Sequence, residues 1–342
     1  NLTTLSGDIG IENNISDNTY HVVVSVDDVG SAKIDGFTIT KGNANGANSI
    51  TINSRVFDRD CGGGINNRSS TPTITNTIIS NNSANNGGGI YNSQSFQTLT
   101  NIIISGNSAN NSGGGIYNNS SSPIITNTTI SNNSAYNGGG GYNYASSPII
   151  TNTNISDNSA DYGGGIYNIV SSPTLTNTTI SDNSATTGGG IYNIVSSPTI
   201  NNSIIWGNTK NSDQSVNNVY NINNSTPVYK YSLIQGSMVN SNWNSSFGTN
   251  GGNNIDVNPM FANPTNGDFT LTITSPAINA GSNTLYGASL STATDLAGNP
   301  RLFGTTIDMG AYENQPVVIS PTNNVLFVKQ GATGTGDGSS WA

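Results

Sequence analysis

From residue 62 to residue 206 the apolar positions of this chain fall into columns that recur about every 25 residues. Aliphatic residues stand at Ile74, Leu99, Ile125, Ile150, Leu175 and Ile200, and again five positions on at Ile79, Ile104, Ile130, Ile155, Ile180 and Ile205. A third apolar column runs through Ile65, Ile90, Ile116, Ile166 and Ile191, broken by Gly141. A column of small residues runs through Ala84, Ala109, Ala135, Ala160 and Ala185. Polar residues fill the intervals. Gly-Gly-Gly triplets beginning at Gly62, Gly87, Gly113, Gly138, Gly163 and Gly188 mark the period, in steps of 25, 26, 25, 25 and 25 residues. Self-similarity at such a period signals a repeat architecture whose units stack to bury one shared core.

Each copy is mostly Thr, Ser, Asn, Ile and Gly. Good helix formers are nearly absent, which excludes a helical repeat. Thr and Ile favour strands, whereas Gly and Asn favour corners. One period is enough for one turn of a parallel β-helix with three short strands and three bends. The Ile74 and Ile79 columns lie five residues apart, and a straight strand cannot point both inward. A bend therefore lies between them, where Asn76, Asn101, Asn127, Asn152, Asn177 and Asn202 recur. Stacked turns are about 4.8 Å apart, so an Asn amide there can donate to one neighbour and accept from the other. Stacked Asp would repel. These six residues are the expected structural ladder. A second ladder is expected at Asn82, Asn107, Asn133, Asn158, Asn183 and Asn208, and a third at Asn67, Asn92, Asn118, Asn143, Asn168 and Asn193. The triplets suit a corner that needs positive φ or close backbone approach. The expected fold class is all-β: a right-handed parallel β-helix of about 25 residues per turn, with Asn ladders at its corners and a C-terminal β/loop cap. The handedness follows the general rule for parallel crossovers.

Outside the regular array, residues 1–60 read as irregular first turns. Strands are expected at His21–Val26 and Ile34–Thr40, with a weaker one at Ile50–Phe57 inside an insertion, Asn45–Asp60. Regular turns occupy 61–236, including a further turn at Val219–Ile222 and Val228–Ile234. Residues 237–314 hold the last turn and the C-terminal cap: a polar loop over Ser237–Asn254, a last strand at Phe269–Thr274, and Ser275–Glu313 covering the open end, since bare strand edges invite aggregation. A linker follows at 315–324, and 325–342 reads as the start of a following module or an inter-subunit strand.

The chain has 342 residues, 58 of them Asn, and only 8% are charged. A solenoid accounts for this, because stacked amides replace part of the apolar burial. A net charge of −9 without a basic stripe argues against nucleic acid. No apolar run reaches the length of a membrane span. The single cysteine, Cys61, excludes a disulfide framework, and the single histidine, His21, excludes a histidine metal cluster. Neither is expected to act as a catalyst. Asp157 and Asp182 share a column with Asn81, Gly106, Asn132 and Gly207, which reads as a solvated corner; with Asp161 they are the candidate Ca²⁺ ligands. Asp58 and Asp60 form a second acidic pair. No pair of carboxylates converges as glycoside hydrolysis requires, so no catalytic residue is assigned and no cofactor is expected other than that Ca²⁺. Two outward columns are candidate contact faces. Tyr91, Tyr117, Tyr142, Tyr167 and Tyr192 offer either a sugar-binding platform or a self-stacked column. Thr75, Thr100, Thr126, Thr151 and Thr176, with Thr77, Thr128, Thr153 and Thr178, offer a Thr-x-Thr face like that of ice-binding solenoids, or a plain outward β-surface.

Two C-terminal stretches are more specific. Asp295-Leu-Ala-Gly-Asn-Pro-Arg301 and Ile307-Asp-Met-Gly-Ala-Tyr-Glu313 closely resemble the end signature of choice-of-anchor Q type β-helix domains of large secreted bacterial surface proteins of the Bacteroidetes type. Ser275-Pro-Ala-Ile-Asn-Ala-Gly281, Asn258-Pro-Met-Phe261 and Thr4-Leu-Ser-Gly-Asp8 are similar to that family as well. The Gly-Gly-Gly-Ile-Tyr-Asn repeat is more loosely similar to polymorphic outer-membrane adhesin repeats. The resemblance covers about residues 1–313. It implies an extracellular or cell-surface location and a structural module of a bacterial fibre or adhesin. Residues 325–341 resemble the beginning of such a domain, so the chain is expected to be a window on a longer tandem array. The partners implied are neighbouring copies head to tail, and surface glycans. The alternative is a carbohydrate-binding or carbohydrate-cleaving β-helix.

Overall fold

The computed structural model describes residues 3–27 and 30–315. Parallel strands stack into a β-solenoid with four faces. One turn shows the plan. Ile90–Ser93 lies in sheet I, Thr98–Thr100 in sheet II, Ile103–Ser105 in sheet III and Ser108–Ser112 in sheet IV. Sheet I stacks eight strands, from Val23–Val26 to Val219–Ile222. Sheets II and III have nine each, and sheet IV has seven. Register is kept along sheet III: Leu5 pairs with Ile39, Ile39 with Ile79, and Ile79 with Ile104.

The turn thus has four strands and four bends, where three of each were expected. Each bend carries a residue in the left-handed region: Gly87 (φ 67°), Gln94 (φ 55°), Asn101 (φ 54°) and Gly106 (φ 65°) in the turn described. A left-handed residue reverses the local twist and ends the strand, so four of them make four sides. The one irregular step, 26 residues, is a bulge: the register shifts between Ala109 and Ser112, where the strand holds one extra residue.

The predicted inward columns form the core. Ile65, Ile74, Ile79, Ile90, Leu99 and Ile104 are fully buried and belong to one cluster running the length of the coil. The first turns already stack in register. Ile34–Thr40 is two strands, Lys33–Asp35 and Phe37–Thr40, separated by Gly36 at φ 77°. Ile50–Phe57 is an antiparallel hairpin, Ser49–Ile52 against Arg55–Asp58, because Asn53 and Ser54 both take positive φ and turn the chain back.

The expected end cap is corrected. The segment Ser237–Asn254, read as a polar loop, supplies the apolar closure. Its hairpin carries Trp243, which with Phe247 packs on the core beside Tyr229. Ser275–Glu313 instead lies as a strap along the flank, on the outer side of sheet III. Leu271, Ala277 and Met309 pack there against Ile204 and Leu233 in a second, smaller core. Outward aliphatic residues at Ile204 and Leu233 make this flank apolar, and the strap covers it. The expectations for 316–342, which include most of the linker and the following module, lie outside the described residues.

Candidate functional site

The glycine triplets join sheet IV to sheet I, and three separate constraints explain the three glycines. The first takes positive φ in every copy, from 65° to 76°. At the second, a Cβ on Gly164 would lie 2.5 Å from the carbonyl oxygens of Gly189 and Ser184. At the third, a Cβ on Gly165 would lie 2.6 Å from the carbonyl oxygen of Gly190. This bare corner lets outward side chains of two sheets approach each other. Tyr162 of sheet IV meets Tyr192 of sheet I edge-on, with ring centroids 5.7 Å apart, and Tyr136 meets Tyr162 at 5.6 Å. Outward residues of adjoining sheets touch only across a re-entrant corner. These rings therefore close over the corner, and the glycines beneath them are buried.

The tyrosine column runs along sheet I. Tyr91, Tyr117, Tyr142, Tyr167 and Tyr192 stack at centroid distances of 4.9–5.1 Å, and Tyr220 extends the stack at 5.2 Å. Tyr220 escaped the sequence reading because a longer loop precedes it. Each ring covers the face of the next, and Arg68 sits over Tyr91 at 6.0 Å. Between these ends the column offers its hydroxylated edges and not ring faces. The self-stacked arrangement is the one observed, and a sugar has no open face to lie on within it. Burial pushes the phenols of Tyr91, Tyr117, Tyr142, Tyr167 and Tyr192 up, that of Tyr167 to about 12 with help from Tyr142 and Tyr192, so these five stay protonated.

A row on sheet IV runs through Asn85, Asn110, Tyr136 and Asp161, with Asp60 in the turn beside its first member. Asn110 donates to Asn85 Oδ1 at 2.8 Å, and Asn85 donates to Asp60 Oδ2 at 3.3 Å. The ends of the inserted hairpin border this row. Asn48, Asp58, Arg59, Asp60, Asn85 and Tyr91 are among the residues lining a cleft of about 740 Å³ there. Asp58 accepts from Arg68 at 3.3 Å.

The remaining candidates fall as follows. The second and third Asn columns are continuous buried ladders. Asn107 donates to Asn133 Oδ1 and Asn133 to Asn158 Oδ1, each at 3.0 Å; Asn92 donates to Asn118 and Asn118 to Asn143, each at 2.8 Å. The first column, Asn76 to Asn202, is corrected. Its residues are the left-handed ones, φ 46° to 54°, so their side chains leave the corner outward. Only Asn101 to Asn76 and Asn202 to Asn177 link, at 3.3 and 3.2 Å. Four of the column hold the strap: Asn127 donates to Thr294 Oγ1, Asn152 to the Thr294 carbonyl and Tyr286 Oη, Asn177 to the Asp308 carbonyl, and Asn202 to the Ser282 carbonyl. A serine ladder was missed. Backbone N–H groups of Ser70, Ser95, Ser121, Ser146, Ser171 and Ser196 donate to the hydroxyl of the next serine in the series, which runs on to Ser225, at 2.8–3.2 Å. The recurrent Ser-Ser-Pro was its signal.

The Thr-x-Thr face is corrected as well. Thr77, Thr128, Thr153 and Thr178 are buried, and Thr77, Thr128 and Thr153 turn their hydroxyls back to the carbonyls two residues before. Only the Thr75 set stands on the outer side of sheet II. Asp157 and Asp182 occupy a left-handed corner, as Asn81 and Gly207 do. Burial, then the charge of Asp157, pushes Asp182 up to about 6. Asp161 belongs to the next strand, Ser159–Tyr162, and among the described residues no three His, Cys, Asp or Glu side chains gather to hold a metal ion. His21 Nδ1 sits 3.0 Å from the Gly62 carbonyl oxygen, and burial lowers its pKa. Burial and neighbouring Asp60 push the Cys61 thiol far up, leaving it protonated and a poor nucleophile.

The end signature forms a buried polar knot in the strap. Arg301 donates to the Asp308 carbonyl at 2.7 Å and lies 3.8 Å from Glu313. Asp295 accepts from Asn299 N and Glu313 N, and Glu313 accepts from Phe303 N and Asp308 N. Burial pushes Glu313 up to about 7.

Four hydrogen-bonded faces, buried Asn ladders and a lateral strap place the chain in the class of parallel β-helix proteins. Neither family models nor curated proteins nor solved structures give a match to it. Among the described residues no helix is long and apolar enough to cross a membrane.

Proposed function

We propose that the chain is a structural module of an extracellular bacterial fibre or adhesin, joined end to end with its own kind as a stiff spacer. The observation that supports this reading is the in-register stacking of turns in sheets I, II and III, with sheet IV shifted only at its bulge. Nine strands stacked at about 4.8 Å give a rod about 38 Å long. Its turns contact only their neighbours, so length is added by adding units. The resemblance of the strap residues 295–301 and 307–313 to secreted surface-protein domains points the same way. Three copies joined in tandem and viewed by negative-stain electron microscopy are expected to form rods whose length grows in proportion to copy number. Collapsed or freely jointed beads would contradict the reading.

A further inference from the structure

We propose that an uncharged apolar strip along the corner between sheets I and II is a lateral contact between two copies of the chain, packed flank to flank. This goes beyond end-to-end joining, which uses the ends of the coil and stands whether or not its flank is occupied. Three successive turns build the strip. Tyr144, Ile169 and Ile194 end neighbouring strands of sheet I in register, and Ala145, Val170 and Val195 follow them at the corner. Ile124 and Ile149, paired at the start of sheet II and both exposed, continue the apolar surface past the bend.

Backbone strain sets this strip apart from scattered surface residues. Val170 and Val195 take φ of 52° and 50°, a region that β-branched side chains disfavour. They are also 57% and 54% exposed. In the lone coil neither the backbone nor water favours valine there, and burial against a partner offsets both costs. The bend beside the valines is held in one shape before contact: the backbone N–H groups of Ser147, Ser172 and Ser197 each donate to the hydroxyl of the serine one turn back, at 2.9 Å.

Charge selects the partner. No Asp, Glu, Lys, Arg or His stands between Arg68 and Asp157, and Asp182 is the one charged side chain from 162 to 209. Asp157 and Asp182 stand at the corner between sheets III and IV, diagonally across the coil. Two copies, each with a net charge of −9, meet at the strip without setting like charges against each other. The geometry suits a second coil as well. Side chains repeat about every 4.8 Å along the strip, so the rows of one copy seat between the same rows of the other in an isologous contact. The exposed apolar surface is roughly 500 Å² per copy, the size of a functional patch. A pair buries roughly 1,000 Å², at the low end for specific contacts, so the association is weak and reversible.

The test is sedimentation equilibrium of the whole chain from about 1 μM to about 1 mM. A monomer–dimer equilibrium is expected, with a Kd between about 10 μM and about 1 mM. Added salt is expected to tighten it by screening the repulsion between two acidic copies. Val170→Asn combined with Val195→Asn is expected to weaken it about tenfold or more, while the melting temperature of the monomer stays unchanged or rises. Ile149→Asp, which sets like charges face to face within the strip, is a second variant with the same expected loss. Val239→Asn, at a valine 55% exposed on the end hairpin, is expected to leave the dimer unchanged. A chain that stays monomeric at the highest concentration would overturn the proposal. So would a dimer indifferent to the strip variants, one loosened as much by Val239→Asn, or one loosened by salt.

Discussion

At the scale of single residues, the corner column between sheets I and II holds Ser69, Gln94, Ser120, Ala145, Val170 and Val195, all at positive φ. For a β-branched side chain the left-handed region costs about 1–2 kcal/mol. Val170 is solvent-exposed, so that cost is not repaid by burial. Val170→Asn is therefore expected to raise stability by about 1 kcal/mol in urea unfolding, and an unchanged or lower midpoint would contradict the assigned backbone. Two glycines give opposite expectations. An added Cβ at Gly141 meets nothing within 4 Å, and the site borders a small cavity between Ile116 and Ile166. Gly141→Ala should stabilise by up to about 1 kcal/mol. At Gly164 the same change drives a Cβ into two carbonyl oxygens and should destabilise by about 2 kcal/mol or more. The Gly141 gap was legible as a break in the Ile column. The left-handed valines were not, because nothing in Ile-Val-Ser-Ser-Pro announces a conformation that Val disfavours.

Among the elements, the asparagine columns show how far sequence reading reaches. All three are uniform, and uniformity alone promised three ladders. What separates them is the side of the corner on which each Cβ lies. Asn82 follows the left-handed Asn81 and turns into the coil, whereas Asn76 is itself the left-handed residue and turns out. A single sequence does not encode that difference, since Asn suits both places. The strap was partly legible: Asp295, Arg301, Asp308 and Glu313 stood out by their pattern, but a segment without repeats does not state which face it covers. Its knot makes a pH prediction. Burial pushes Glu313 up to about 7, against its backbone hydrogen bonds and the attraction of Arg301 and with Asp308 adding repulsion. A carboxyl with a raised folded pKa favours folding while protonated. Its contribution is full below about 4.5, the ordinary value, and is lost as pH rises to about 7. Hydrogen exchange in 277–311 is expected to be slower at pH 5 than at pH 8 after correction for intrinsic rates. Glu313→Gln is expected to flatten that dependence; equal protection at both pH values in the parent chain would contradict it.

For the whole molecule, stability rests on superposition. Few charges and a narrow core leave the coil dependent on columns in which each side chain satisfies the next, so a defect in one turn is felt by its two neighbours. The period, the inward columns and the stacked tyrosines followed from counting residues. The fourth side, the lateral strap and the apolar end closure did not, because they depend on backbone conformation and on contacts between distant, unrepeated segments.

The most direct test compares two isosteric changes by equilibrium urea unfolding at pH 7. Asn133 donates from Nδ2 to the Ile104 carbonyl and to Asn158 Oδ1, and accepts from Asn107 at Oδ1. Asn133→Asp sets a buried carboxylate against two acceptors and is expected to cost about 3–5 kcal/mol. Asn101, on the exposed outer corner, is expected to lose less than about 0.5 kcal/mol on the same change. A small and equal loss at both positions would contradict the account of buried amide ladders holding a stacked coil.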